Sequence, residues 1–72
     1  MFKPYSDEIE ERMQVFYESL SEKDRRRYAA VETLKLPYGG QTYICDILGC
    51  DAKTIQQGLK DLEDDNEVKK NE

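Results

Sequence analysis

The chain has 72 residues, of which 38% are apolar and 38% are charged, so it can form one domain with a thin core and is too short for two. It contains two cysteines and no histidine, which excludes a disulfide framework and a Cys/His zinc site built from one chain. Its formal net charge is −5, and with neither a bilayer-spanning apolar stretch nor the apolar run of a secretory signal at its start, we expect a cytoplasmic protein with no membrane partner.

The first predicted helix begins after Ser6, a suitable N-cap because its hydroxyl can accept a hydrogen bond from a helix amide. The helix is predicted to end near Leu20. Its apolar residues recur at helical spacing and so share one face; they are Ile9, Met13, Phe16, Tyr17 and Leu20. We expect this stripe to be core. The alternative is a face that docks a second copy of the chain or another protein partner.

The second predicted helix begins after Ser21, with Asp24 three residues on as a weaker form of the capping box. It should stop at Leu36, because proline disfavours a helical conformation at the residue before it. The segment Pro37-Tyr38-Gly39-Gly40 that follows is the strongest turn signal in the chain. We interpret it as a plain connector, because a phosphate-binding loop needs a preceding strand and a Gly-Lys-Ser/Thr ending.

Two further apolar patterns predict the third and fourth helices. The third fits Gln41 to Leu48, and Gly49 stands where a left-handed residue ends a helix. Asp51 can cap the fourth helix, which is predicted from Ala52 to about Glu63. Its apolar residues recur at intervals of four and three; they are Ile55, Leu59 and Leu62. Residues 64–72 contain one apolar side chain, so we expect a flexible acidic tail after a helical domain of residues 1–63.

The third and fourth helices together predict a helix-turn-helix over residues 41–63, within a small all-α domain of four helices. A short helix, a glycine-containing turn and a longer second helix form the layout that presents one helix to a DNA major groove. The close crossing of the two helices needs a small residue, a glycine four residues later and a branched apolar residue. Cys45, Gly49 and Ile55 meet these requirements. Both Cys45 and Cys50 are expected to be reduced and buried.

The exposed residues of the fourth helix are candidate base readers. Glutamine can bond adenine twice, lysine can reach guanine or phosphate, and the threonine methyl can contact thymine; the candidates are Lys53, Thr54, Gln56, Gln57 and Lys60. Residues 21–40 hold five basic and three acidic side chains, which predicts phosphate contacts; the candidates are Lys23, Arg25, Arg26 and Arg27. Two alternatives stay open, a solvated polar face and arginines that pair with acids along their own helix.

The chain resembles the N-terminal domain of Rhodopirellula-type transposases over roughly Leu20 to Glu63. The resemblance is carried by the basic-then-alanine second helix, the Tyr38-Gly39-Gly40 turn and the Lys-Thr-Ile-x-x-Gly-Leu pattern that starts at Lys53. It implies a domain that binds the ends of a transposable element, with the candidate readers on its reading helix and the arginines in its basic helix. No catalytic residue carries over. The family tends to be arginine-rich where Gln56 and Gln57 stand, which implies weaker phosphate binding here.

The sequence thus predicts a non-enzymatic domain that reads double-stranded DNA with the helix of residues 52–63. The alternative is an acidic helical protein-interaction module, or a degenerate transposase relic that no longer binds DNA. An enzyme is not expected, because the chain has no histidine and no activated-nucleophile motif. We likewise expect no cofactor, no metal and no small-molecule substrate.

Overall fold

Four helices follow one another along the chain, and no strand occurs among residues 3–70. The structure, a computed structural model, describes the backbone of residues 3–70 and the side chains of residues 3–64. The helices are α1 (Asp7–Ser19), α2 (Glu22–Leu34), α3 (Gly40–Leu48) and α4 (Ala52–Lys70). The predicted all-α fold with four helices is therefore confirmed. Within the described part of the chain, none of these helices combines the length and apolar character needed to cross a membrane.

The helix starts follow from three capping side chains that were predicted from the sequence. The Ser6 hydroxyl accepts a hydrogen bond from the Ile9 amide at 3.3 Å, and the Ser21 hydroxyl accepts one from the Asp24 amide at 3.3 Å. The Asp51 carboxylate accepts the Thr54 amide at 2.9 Å. Each cap satisfies a backbone donor that the first helical turn leaves without a partner.

The helix ends agree less well with the sequence prediction. α2 ends at Leu34, two residues before the predicted end at Leu36. The Leu36 amide donates a hydrogen bond to the Thr33 carbonyl at 3.2 Å, which closes the end of the helix with a tighter turn. The predicted end of the fourth helix near Glu63 was wrong, since α4 continues to Lys70. Extending an existing helix costs far less than starting one, so a polar segment can remain helical after the last core contact. Mobility of the predicted tail stays a prediction, and residues 71–72 lie outside the described residues.

The core lies around α3, where all four helices meet. Its fully or nearly buried apolar side chains are Met13, Ala29, Ala30, Ile44, Ile47, Leu48 and Ile55. The predicted stripe of α1 supplies only Met13 to this set. Ile9 is 44% exposed and Phe16 is 51% exposed, so the expectation that they form core was wrong. Phe16 instead packs edge-on against Tyr28 of α2, at the margin of the stripe, with ring centroids 5.1 Å apart.

α2 and α4 make the most extensive helix contact, and their backbones approach each other closely at Gly58. A Cβ atom at this position would lie 2.0 Å from the Arg26 carbonyl oxygen and 3.0 Å from the Cβ of Ala30. Only glycine lets the two backbones approach this far. The contact anchors one side of α4 and leaves the opposite side facing outward.

Candidate nucleic-acid interface

The outward side of α4 brings four of the five predicted base readers together. Lys53, Gln56, Gln57 and Lys60 are all exposed. They fall on one side of the helix because a helix turns once every 3.6 residues, and Ile55 on the other side is fully buried. Thr54 lies apart from them and is half-buried, with its hydroxyl 3.1 Å from the Asp51 carboxylate. In this arrangement Thr54 belongs to the helix cap.

The two glutamines of this face differ in their contacts. The Gln57 side-chain amide donates to the Asp61 carboxylate at 3.0 Å. The other oxygen of Asp61 accepts from Arg26 Nε at 3.3 Å, and both bonds hold the pKa of Asp61 below its ordinary value, with Gln57 the larger cause. Gln56 makes no side-chain hydrogen bond to any residue whose side chain the structure describes. Of the two, Gln56 is the one with an uncommitted amide.

Arg25 lies away from the face on α4 and closes the end of α1. Its Nε donates to the Tyr17 carbonyl at 3.0 Å, and its Nη2 donates to the Glu18 carbonyl at 2.7 Å. The guanidinium carbon also lies 5.6 Å from the centre of the Tyr17 ring. These carbonyls belong to the last turn of α1, where backbone acceptors need partners and a positive charge is favourable. Arg25 therefore works as a C-terminal cap of another helix.

The other three predicted phosphate contacts differ in whether their charge is already paired. Arg26 pairs with Asp61 at 3.3 Å and with Glu22 at 3.8 Å. Arg27 pairs with Asp24 at 3.5 Å. Lys23 is exposed in the first turn of α2 and acts electrostatically on Asp61. Lys23 is therefore the member of the predicted phosphate set that lies beside α4 with its charge exposed.

Acidic side chains border the exposed face of α4. Asp51 sits at the start of the helix, and the bonds it accepts from Thr54 hold the pKa of its carboxyl below the ordinary value. Asp61 is occupied by Arg26 and Gln57, whereas Asp64 is exposed beyond the end of the face. Lys53 and Lys60 form no ion pair with the side chains that the structure describes. The face thus carries two lysines between acids at either end.

The turn between α3 and α4 has the predicted layout of glycine, cysteine and aspartate. Gly49 is left-handed, with φ of 71°, as expected. Cys45 and Cys50 are not joined to each other, and both are half-buried rather than fully buried as the sequence predicted. The helix-turn-helix as a DNA-binding motif stays a prediction. α4 packs most extensively on α2 rather than on α3. A close backbone approach occurs at Gly58, against α2, and the sequence had not predicted it.

A second surface, which we name the α1 outer face, was only partly predicted. It is a shallow groove along α1, with Val15 at 64% and Phe16 at 51% exposure. Its lining residues are Glu8, Glu11, Arg12, Val15, Phe16 and Ser19. Val15 was missed because it stands off the helical stripe defined by its neighbours, where an exposed valine gives no periodic signal.

Metal binding has no support within residues 3–64, where no group of three or more potential ligand side chains is close enough to hold an ion. Family-level comparison adds no further constraint. No protein-family model, no curated protein and no solved structure matches the chain.

Proposed function

We propose that this chain is a non-enzymatic domain that binds double-stranded DNA through the exposed face of α4. The observation that carries the proposal is the clustering of Lys53, Gln56, Gln57 and Lys60 on one side of a helix whose other side is anchored at Gly58. Helix faces with lysine and glutamine suit the donor and acceptor pattern of the major groove. The cytoplasmic location and the relation to transposase N-terminal domains are parts of this proposal.

The dimensions of the face support this mode of binding. Lys53 and Lys60 are two helical turns apart, a rise of about 10 Å, which corresponds to roughly three base pairs. Gln56 lies between them and has its amide available for an adenine edge. A helix fits the major groove, and short reading helices contact a few successive bases. We assign base reading to Gln56 in the first place.

The phosphate contacts in this proposal come from lysines. Arg25, Arg26 and Arg27 are held by carbonyls and carboxylates of the domain, so the charges available beside the duplex are Lys23, Lys53 and Lys60. With two or three phosphates neutralised, the logarithm of the binding constant falls with the logarithm of salt concentration with a slope of about −2 to −3. Binding should therefore weaken as salt rises, and low salt is the condition in which to look for it.

The first experiment is an amide chemical-shift titration of the labelled protein with a pool of short duplexes, at low and then moderate salt. The proposal expects shifts in the first three turns of α4 and at Lys23 that fade as salt rises. Absence of shifts at low salt would reject DNA binding. Shifts confined to α1 or to the turn at Pro37 would reject this face as the site.

Three variants test the assignment of roles. Lys53→Ala combined with Lys60→Ala should weaken binding for all duplexes and reduce the salt slope by about 2, one for each lost phosphate contact. Gln56→Ala should relax sequence preference and leave the slope unchanged. Lys35→Ala is the control, because it removes one positive charge from the far end of α2, where the ammonium pairs with Glu32 at 3.4 Å. If the control lost half as much binding free energy as the double variant, the loss would reflect only general electrostatics.

A second candidate function is a protein-interaction module that pairs with a second copy of the chain through the α1 outer face. The exposure of Val15 and Phe16 favours it. Glu8 and Arg12 lie one turn apart on this face, 3.4 Å from each other. In an antiparallel contact each Arg12 could therefore meet Glu8 of the partner subunit. Charge complementarity of this kind specifies partner and orientation.

Sedimentation over a wide concentration range tests this second function. A wild-type dimer that becomes a folded monomer with Phe16→Glu would support it. A wild type that stays monomeric at the concentrations used for spectroscopy would exclude it. Lys35→Ala again serves as the control, since Lys35 lies outside the α1 outer face.

A further inference from the structure

The two cysteines bracket the turn that ends α3. Cys45 is in the last turn of the helix, and Cys50 follows the left-handed Gly49 directly. The Cys45 carbonyl accepts the Gly49 amide at 2.9 Å and the Cys50 amide at 3.2 Å. In helix ends closed by such a bond across six residues, the first and sixth side chains pack against each other. The sequence places a thiol at both positions.

The surroundings of the two thiols agree with this backbone geometry. Both side chains are half-buried and pack against the core, and neither is in a disulfide. A disulfide requires Cα atoms roughly 4.4 to 6.8 Å apart and Cβ atoms that face each other. The backbone hydrogen bond from the Cys50 amide to the Cys45 carbonyl, at 3.2 Å, brings the two residues within reach of this separation.

We propose that Cys45 and Cys50 are a modification site, where a small-molecule disulfide such as oxidised glutathione forms a reversible bond between them. The Cys45 thiolate attacks one glutathione sulfur, the glutathione disulfide breaks, and one glutathione thiolate leaves. Cys50 loses its proton and attacks the Cys45 sulfur of the mixed disulfide, and the second glutathione leaves. Overall, the two cysteine thiols lose two electrons and two protons. One molecule of oxidised glutathione takes them up and becomes two molecules of reduced glutathione.

The bond would act on the turn between α3 and α4. In the reduced protein, hydrogen bonds to the Cys45 carbonyl and the Asp51 cap hold this turn. A covalent link across it removes conformations from the unfolded chain and fixes the end of α3 to the residue before the α4 cap. Burial raises the pKa of the Cys50 thiol to about 12, with the neighbouring Cys45 as a further cause, so the second step is slow at neutral pH. The inference is independent of DNA binding.

The test equilibrates the full chain with glutathione buffers of graded composition, once folded and once unfolded in urea. Samples are quenched with acid, remaining thiols are alkylated, and intact masses are read. We expect a single oxidised species that has lost two hydrogen atoms and carries neither glutathione nor an alkyl group. Because the fold holds the thiols together, half-oxidation of the folded chain should need about tenfold less oxidant than half-oxidation of the unfolded chain.

Two single variants provide the matched controls. Cys45→Ser and Cys50→Ser each keep one thiol, so they can form only a glutathione mixed disulfide or a linked dimer. The same products from the wild-type chain would overturn the proposal. So would a folded wild type that needs as much oxidant as the unfolded chain, or more, because the native geometry would then oppose the bond. The wild-type comparison stands alone if a serine variant does not fold.

Discussion

The α2–α4 pair and α1 are attached to the domain in different ways. α2 and α4 meet backbone to backbone at Gly58, where no side chain separates the Arg26 carbonyl from the neighbouring helix. α1 contributes one buried side chain, Met13, and is otherwise held by contacts at its surface, such as the Phe16–Tyr28 ring packing and the bond from Gln14 Nε2 to the Ile47 carbonyl at 2.9 Å. The α2–α4 pair is fixed by backbone contact, whereas α1 is held by individual side-chain contacts.

This difference bears on which surface can recognise a partner by rigid geometry. The exposed face of α4 is set by a contact that permits no adjustment, so its side chains keep a constant relation to the rest of the domain. The position of the α1 outer face depends on one buried side chain, Met13, and on a few surface contacts, of which each hydrogen bond stabilises the fold by only about 1 kcal/mol. Readout of a duplex favours the first kind of surface. Four predictions test the contrast, in order of falling effect.

Gly58→Ala should cause the largest loss of stability. The new Cβ would clash with the Arg26 carbonyl, and overpacking against backbone costs about 3 kcal/mol, more than the roughly 1 kcal/mol that alanine gains over glycine in a helix. Urea unfolding measures the change in free energy. Lys60→Ala, two residues on at an exposed position, should leave stability nearly unchanged. A stabilised Gly58→Ala variant would show that the two backbones are not in contact.

Met13→Ala should rank second, with a loss of about 2 to 3 kcal/mol from the free energy of unfolding. Met13 is 7% exposed and is the one side chain of α1 in the buried core of residues 3–64. Phe16→Ala on the same helix should cost less than about 1 kcal/mol, because half of that ring is already in water and its contact is with Tyr28. Chemical denaturation of both variants gives the comparison. The reverse order would place Phe16 in the core.

Arg25→Ala should come third, with a loss of about 1 kcal/mol from removing bonds to two carbonyls at the end of α1. Arg25→Lys keeps the charge and loses the forked geometry, so it should recover only a small part of this loss. Unfolding measurements on both variants separate the two contributions. Full recovery by lysine would mean that charge alone matters. DNA affinity measured on the folded variants should change little.

The smallest effect concerns acid pH. Bonds from Tyr43 and then Lys3 hold the pKa of Glu10 below its ordinary value of 4.5, and bonds from Thr54 hold that of Asp51 below 3.8. The unfolded chain therefore binds protons first, so the stabilisation is complete above about pH 4.5 and is lost as pH falls through the lower folded-state pKa values. Urea unfolding at several pH values between 6 and roughly 2 measures this loss.

Asp51→Asn provides the control for the acid effect. Asparagine is also a good N-cap, so the helix start is kept while one titrating group is removed. The variant should lose stability less steeply below the ordinary aspartate pKa of 3.8 than the wild type does. Identical pH dependence of the two proteins would show that Asp51 contributes nothing to the acid transition.

Local chemistry was predictable from the sequence, and long-range contacts were not. Ser6, Ser21 and Asp51 cap helices because their partners are three residues away, and Gly49 ends one because its own conformation allows it. The outward face of α4 followed from helical spacing alone. These features depend only on residues that are close together in the sequence, so the sequence is enough to predict them.

The features that were missed depend on partners distant in the chain. Gly58 looks unfavourable within a helix until the Arg26 carbonyl is found against it. Arg25 looks like an exposed charge until the end of α1 is placed beside it. Phe16 belongs to an apolar stripe, and only the packing angle of α1 decides which margin of that stripe stays in water. Periodicity carries no information about that angle.

The backbone contact at Gly58 also has a consequence for how the domain opens. A contact between two side chains can loosen gradually as rotamers change. A contact between two helix backbones has no such intermediate arrangements, so the helices are either in contact or apart. α2 and the first turns of α4 should therefore open as one cooperative unit, and their amide protons should share a single, slow rate of hydrogen exchange. The amides of α1 should exchange faster and individually, since that helix can detach while the α2–α4 pair stays closed.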